Sequence, residues 1–167
     1  RCTRCSTAGR KRHRGDDAAV FRGGRLSEAF KDNDEMNKID QTVYDHELRD
    51  FLPSKLFDAH VHFFDASCLA PDTTFPASHP YCKFDGTFGP EHYREWADDA
   101  LPGVEIYANH FGHPGFESDR DASAAYAGKI SDNRKRFGMA LVAPEDSADS
   151  VRQRVEQNKL VGLKPYP

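Results

Sequence analysis

The chain has 167 residues, of which 38% are hydrophobic, and this is enough for one domain with a core of ordinary size. Its formal charge of -4 provides no overall basic field, so binding to nucleic acid is not expected. No run reaches the ~20 apolar residues of a membrane-spanning helix and no secretory signal is recognisable, so we expect a cytoplasmic protein with no membrane partner.

The N-terminal part differs in charge from the rest of the chain. Residues 1–30 contain eight Lys or Arg against three acidic residues. They show no periodicity that could bury an apolar face, so we predict a disordered basic extension over residues 1–35. Met36 follows directly, which suggests that the extension is not native. Residues 36–54 are then a lead-in segment to the folded domain.

Short apolar runs alternate with amphipathic stretches from residue 55 onward. The runs, which we predict to be strands, cover residues 56–64, 104–111, 137–142 and 160–167, and the predicted helices cover 90–100, 119–133 and 147–159. This alternation predicts an α/β fold with a parallel sheet and right-handed crossovers. The alternation by itself is compatible with two folds, an open sheet of flavodoxin-like order and half of a closed barrel.

Two histidines stand at the C-terminal end of the first predicted strand. Side chains on a strand alternate faces, so Asp58, His60 and His62 are predicted to share one face. Phe57 is predicted to lie on the opposite, apolar face, which helices would cover. Two imidazoles at this spacing can reach one ion at about 2.0 to 2.1 Å, which suits zinc. Asp58 is predicted to lie behind them and to orient an imidazole.

The segment FDAHVHF, residues 57–63, resembles the first-strand motif of the amidohydrolase superfamily, particularly its amidohydrolase-related branch. The resemblance implies a metal-dependent enzyme with a (β/α)8 TIM barrel, with His60 and His62 as metal ligands. It covers residues 55–167, which would form the N-terminal half of the barrel, about four βα units.

Two further residues are candidates for the same site. Lys164, near the end of the fourth run, is similar in position to a lysine that many members carry at the end of strand four. The resemblance implies that it bridges metals after carbamylation or binds a substrate group. His110 ends the second run and is a candidate substrate contact.

The expected function is hydrolysis, in which a divalent metal, zinc being the expected ion, activates water to attack an amide, ester or lactone carbonyl of a small molecule. The alternatives are a decarboxylase or sugar-acid isomerase on the same fold, and a non-catalytic flavodoxin-like binding domain. Family members take further ligands from later strands, so we expect the 167-residue chain to be a fragment that binds metal weakly and is inactive. We also expect a tendency to self-associate through the open sheet edges.

Overall fold

The computed structural model describes residues 34–70, 73, 86–115 and 118–166. The predicted disordered extension lies outside these residues, apart from its last two, which begin helix α1 (Asp34–Val43). A π-helical turn, Tyr44–Leu48, continues α1, and the Tyr44 hydroxyl donates a 2.6 Å hydrogen bond to the carbonyl of Pro102. This bond attaches the lead-in segment to the domain. Among the described helices, none has the length and apolar character required to cross a bilayer.

Four parallel strands form one sheet in the order β1-β2-β3-β4. They are β1 (Lys55–His62), β2 (Glu105–Phe111), β3 (Arg136–Val142) and β4 (Gly162–Pro165), and the helices between them are α2 (Pro90–Ala100), α3 (Arg120–Ile130) and α4 (Ala148–Asn158). The predicted alternation is thus confirmed. In a flavodoxin-like sheet the first strand lies between the second and the third. Here β2 lies between β1 and β3, so the flavodoxin-like order was wrong.

Local signals explain where the helices begin and end. Pro90 occupies the first turn of α2, where its missing N–H is not needed. Asp119 and Ser147 accept backbone N–H bonds from the first turns of α3 and α4. Lys159 ends α4 in the left-handed conformation, with φ of 54°. These local features therefore set the ends of the helices, whose positions the apolar pattern alone does not define.

One face of the sheet, here called the outer face, is covered by the helices. Among the described residues, two clusters of buried side chains pack there, one between β1, β2, α2 and α3 and one between β3, α3 and α4. The first contains Val61, Phe63 and Ala108 and the second contains Ala124, Ala127, Ala140 and Leu160. The small alanines of α3 let that helix lie close against β3, because no long side chain separates the two backbones.

The opposite face is concave. In a flat sheet β1 and β4 would be about 14 Å apart, since neighbouring strands lie about 4.8 Å apart. Lys164 on β4 nevertheless has its Nζ 3.4 Å from His60 Nδ1 on β1. Side chains that stand perpendicular to a flat sheet could not meet over that distance. The sheet is therefore curled like part of a barrel wall, and its concave face brings β1 and β4 together.

A β-bulge in β1 changes the predicted distribution of side chains. Between Asp58 and Val61 the strand contains one residue more than β2 does, so the register shifts. Asp58 and Val61 consequently both face the helices, whereas His60 and His62 lie on the concave face. Phe57, predicted to lie under the helices, is on the concave face and is 54% exposed. The period-two prediction was wrong here because it assumed an uninterrupted strand.

Candidate metal centre

His60 and His62 converge at the carboxyl end of β1. Their Nε2 atoms are 3.2 Å apart and their rings meet edge to face, with centroids 5.1 Å apart. Two nitrogens bound to one tetrahedral zinc ion at about 2.0 to 2.1 Å are themselves about 3.3 Å apart. The two histidines therefore have the spacing of two ligands of a single ion.

A backbone carbonyl orients His62. Its Nδ1 lies 2.9 Å from the oxygen of Gly112, and because a carbonyl only accepts, Nδ1–H is the donor and Nε2 keeps its lone pair. Burial lowers the pKa of His62, the Gly112 bond opposes that shift, and His60, His113 and Lys164 lower the pKa further by charge repulsion. These effects together favour the neutral form of His62, which is the form that binds a metal.

Gly112 leaves no room for a side chain. A Cβ atom at this position would lie 2.9 Å from the side chain of Ser123 and 3.4 Å from Leu141 Cδ1. The close approach seats the loop after β2 and aims the Gly112 carbonyl at His62. Sequence reasoning did not identify Gly112, although a glycine directly after a predicted strand and between two histidines was a usable signal.

Phe111 forms the floor beneath the two histidines. Its side chain is 1% exposed, and its ring centroid lies 4.9 Å and 4.7 Å from those of His60 and His62. The Lys164 ammonium lies 5.1 Å from the same ring. An apolar floor of this kind restricts the rotamers of the imidazoles and excludes water from below, so the nitrogens remain directed toward the mouth of the concave face.

The end of β4 completes the cluster. Lys164 Nζ is 3.4 Å from His60 Nδ1, and the hydroxyl of Tyr166 is 3.5 Å from His62 Nε2. The structure thus brings Lys164 together with the histidine pair, and adds Tyr166. Both contacts join residues 104 positions apart, which only the curl of the sheet makes possible.

Asp58 does not contact an imidazole. One of its carboxylate oxygens accepts the backbone N–H of His60 at 3.0 Å and the other accepts the hydroxyl of Tyr93 at 2.8 Å. Burial, followed by the bond to Asp58, raises the pKa of Tyr93. Asp58 therefore stabilises the bulge and connects β1 to α2, rather than orienting an imidazole ring as predicted.

His110 lies apart from the cluster. It is fully buried on the outer face, where its Nε2 is 3.1 Å from Ser131 Oγ and its ring packs beside Phe63. Burial lowers the pKa of His110 to about 4, so it is neutral. The predicted substrate contact does not fit this position, because β2 turns His110 toward the helices and its neighbour Phe111 toward the concave face.

The two histidines form an incomplete ligand set. Within the described ranges no group of three or more His, Cys, Asp or Glu side chains is arranged to hold a metal ion. The ring of His113 is near, with its centroid 6.4 Å from that of His62. Catalytic zinc usually takes three protein ligands, so the pair fits as part of such a site.

No family model matches the chain, and neither the curated proteins nor the solved structures contain a match. The resemblance to the amidohydrolase superfamily therefore depends on the first-strand motif and on the position of Lys164. The cluster itself offers two convergent imidazoles, an amine, a phenol and an apolar floor.

Proposed function

We propose that this chain supplies the first two metal ligands, His60 and His62, of a metal-dependent hydrolase built on an amidohydrolase-type TIM barrel. The observation that carries the proposal is the convergence of their Nε2 atoms to 3.2 Å at the mouth of a curled parallel sheet. Active sites of parallel α/β barrels lie at this carboxyl end of the strands. The sequential strand order supports the same fold.

Each residue has a separate part in this proposal. His60 and His62 would hold a divalent ion, zinc being the expected one, and the Gly112 carbonyl keeps the tautomer of His62. When bound, the metal would polarise the scissile carbonyl and lower the pKa of water toward about 7. The substrate class is a small amide, ester or lactone. Tyr166 lies near enough to donate a hydrogen bond to an oxygen at the site.

Lys164 has two possible states with different consequences for His60. A lysine ammonium only donates, so beside it His60 Nδ1 must accept, which leaves the hydrogen on Nε2 and prevents metal binding. A carbamylated Lys164 offers oxygens that would accept a hydrogen from Nδ1 and free Nε2. Metal binding through His60 Nε2 therefore requires Lys164 to lose its charge, either as a neutral amine or as the carbamate.

A decarboxylase or a sugar-acid isomerase is the second candidate. The observation that favours it is the Lys164 amine, which in its charged form would pair with a substrate carboxylate. The two candidates differ in the state of Lys164 and can be separated by mass spectrometry under bicarbonate. A mass increase at Lys164 in the metal-loaded protein favours the hydrolase, and an unmodified lysine favours the second candidate.

Metal binding is tested by titrating the chain with Co²⁺, whose visible spectrum reports coordination by nitrogen. We expect saturable binding, and we expect His60→Asn and His62→Asn each to weaken it about 10- to 100-fold. His46→Asn is the matched control, since His46 is exposed on the π-helical turn far from the pair. Equal effects of all three substitutions would contradict the proposal.

The reaction is tested on the natural product of the gene that contains these residues. Zinc-loaded protein should hydrolyse at least one member of a panel of amides, esters and lactones, and either asparagine substitution should abolish turnover while the protein remains folded. Retention of full activity without His60 and His62 would overturn the assignment.

A further inference from the structure

The sheet has two edges without a strand partner in the described structure, since β1 pairs only with β2 and β4 only with β3. On β4 the Val161 N–H donates to the carbonyl of Gly138. Successive residues of a strand direct their backbone groups to opposite sides, so the N–H groups of Gly162 and Lys164 point away from β3. Pro165, which has no N–H, falls on the β3 side. The outer edge of β4 therefore keeps the donors that a further parallel strand needs.

Apolar side chains are exposed beside both free edges. Val161 and Leu163 are largely exposed along β4, where they border a groove formed with Val151 and Val155 of α4. Phe51, just before β1, is 80% exposed. Paired parallel strands begin at the same end of a sheet, so β1 of a second copy placed beside β4 would carry its Phe51 toward Val161. The two edges therefore complement each other.

The concave face also carries exposed apolar side chains, on the amino-terminal side of the histidines. Phe57 and Phe137 meet there with ring centroids 6.1 Å apart, and more than half of the Phe57 surface is exposed. Met139 packs against Gly162 on the same face. In an eight-stranded barrel the side chains of all strands fill the interior in layers. A second four-stranded sheet facing this one would therefore cover Phe57 and complete such a layer.

Two copies of the chain can satisfy both edges at once. A two-fold axis along the barrel places β4 of each copy beside β1 of the other, so that eight strands form a closed ring and all run in the same direction. Eight strands leave an interior that side chains from opposite walls just fill. The two β1 strands lie opposite each other in this ring. Their histidine pairs, which face inward at the carboxyl end, therefore approach each other at the mouth.

The combined histidines form a complete ligand set. One copy offers two converging nitrogens, the Nε2 atoms of His60 and His62. Four imidazoles from two copies match the tetrahedral coordination of zinc, and the Gly112 carbonyl fixes the tautomer of His62 in each copy. As for any ion bound through His60 Nε2, Lys164 must be uncharged. Four protein ligands leave no position for water, which is the arrangement of a structural zinc site.

We propose that two copies of this chain pair β4 with β1 into an eight-stranded barrel, and that His60 and His62 of both copies bind one divalent ion at its mouth. The proposal rests on the metal ligands of the proposed function but not on the reaction, because the closed coordination sphere activates no water. The ion and the second copy must each strengthen the binding of the other, since linkage between two binding equilibria is reciprocal.

The test measures dimerisation and metal stoichiometry of the 167-residue chain together. Cys2→Ser and Cys5→Ser are introduced throughout, so that these thiols cannot take the ion. We expect Co²⁺ absorbance to saturate at one ion per two chains. Sedimentation velocity with Co²⁺ should show a dimer Kd at least about fivefold lower than without it. One Co²⁺ per monomeric chain, or a dimer Kd that does not respond to Co²⁺, would overturn the proposal.

Three variants separate the strand edge from the ion. His60→Asn should abolish the effect of Co²⁺ on the dimer Kd, whereas His46→Asn, at an exposed histidine, should preserve it. Leu163→Lys on β4 should weaken Co²⁺ binding although it removes no ligand, because it opposes the strand pairing that brings the second histidine pair. If Leu163→Lys weakens dimerisation but leaves Co²⁺ affinity unchanged, the two copies do not share an ion.

Failure of this proposal is distinguishable from failure of the proposed function. If Co²⁺ binds to His60 and His62 of a monomer, the shared site is refuted and the assignment of the two ligands stands. If the metal-bridged dimer forms but the zinc-loaded natural gene product hydrolyses no member of the substrate panel, the hydrolase is refuted and the shared site stands. If Co²⁺ does not bind to the histidines at all, both proposals fail.

Discussion

The outer and concave faces of the same four strands differ in how completely their polar groups are used. Toward the helices, Arg154 is 6% exposed and bonds to Asp121, Asp146 and the carbonyl of Leu141. On the concave face the two imidazoles contact mainly each other, an amine and a phenol. Arg154 under the helices therefore holds the fold together, whereas the imidazoles on the concave face converge where a ligand could bind. On the outer face His110 Nδ1 is an exception, because it is buried without a hydrogen-bond partner.

The largest expected effect concerns Arg154. Arg154→Met leaves the buried carboxylate of Asp146 with one fewer cation, and breaking a buried pair costs about 3 to 5 kcal/mol. The free energy of unfolding in urea measures the loss. Arg152→Met on the same helix, at a 64% exposed side chain, should change it by less than about 0.5 kcal/mol. Similar losses in the free energy of unfolding for both variants would contradict the structural role assigned to Arg154.

His110, buried on the outer face, should make the stability of the fold depend on pH. Its pKa is lowered to about 4 in the folded state because burial penalises the charged ring, whereas in the unfolded chain it is ~6.5. As the pH falls below 6.5, the unfolded state takes up a proton that the folded state does not. Stability contributed by the neutral ring is therefore complete above pH 6.5 and declines below it, by about 2 kcal/mol between pH 7 and pH 5.

Urea unfolding across that pH range measures the effect of His110. His110→Gln should flatten the dependence on pH, while His46→Gln, at an exposed histidine, should leave it unchanged. A slope that is the same in all three proteins would show that His110 is not the group responsible.

Gly112 connects the two faces, because it packs on Ser123 of α3 and accepts from His62. Gly112→Ala should cost about 1 to 2 kcal/mol through overpacking and should also weaken Co²⁺ binding about tenfold, because the carbonyl moves away from His62. Gly162→Ala is the control, since its Cβ would meet only the flexible Met139 side chain. If Gly112→Ala lowers stability but leaves Co²⁺ affinity unchanged, Gly112 does not orient His62 for metal binding.

The smallest expected effect concerns the sheet edges. β4 pairs only with β3 in the described structure, and Leu163 in β4 and Val161 just before it are 45% and 55% exposed. We propose that the chain self-associates through this edge. Leu163→Lys should weaken association at least severalfold in analytical ultracentrifugation, because an edge lysine opposes strand pairing. Val43→Lys on α1 should have no effect; a monomeric wild-type chain at all concentrations would refute the proposal.

Much of the fold could be predicted because its signals are local. The strand and helix alternation and the helix starts near Pro90, Asp119 and Ser147 depend on neighbours in sequence. The roles of Asp58 and His110 could not be predicted in the same way. One depends on a bulge that period-two reasoning does not contain, and the other on which face of β2 the helices cover.

The sequence by itself determined that two histidines stand at the end of a strand in an alternating α/β chain, because side-chain periodicity and turn residues act over a few positions. The positions of Lys164 and Tyr166 beside them, and the Gly112 carbonyl that orients His62, follow from the three-dimensional fold alone. The physical reason is the curl of the sheet, which brings residues more than a hundred positions apart into contact through packing that no local pattern records.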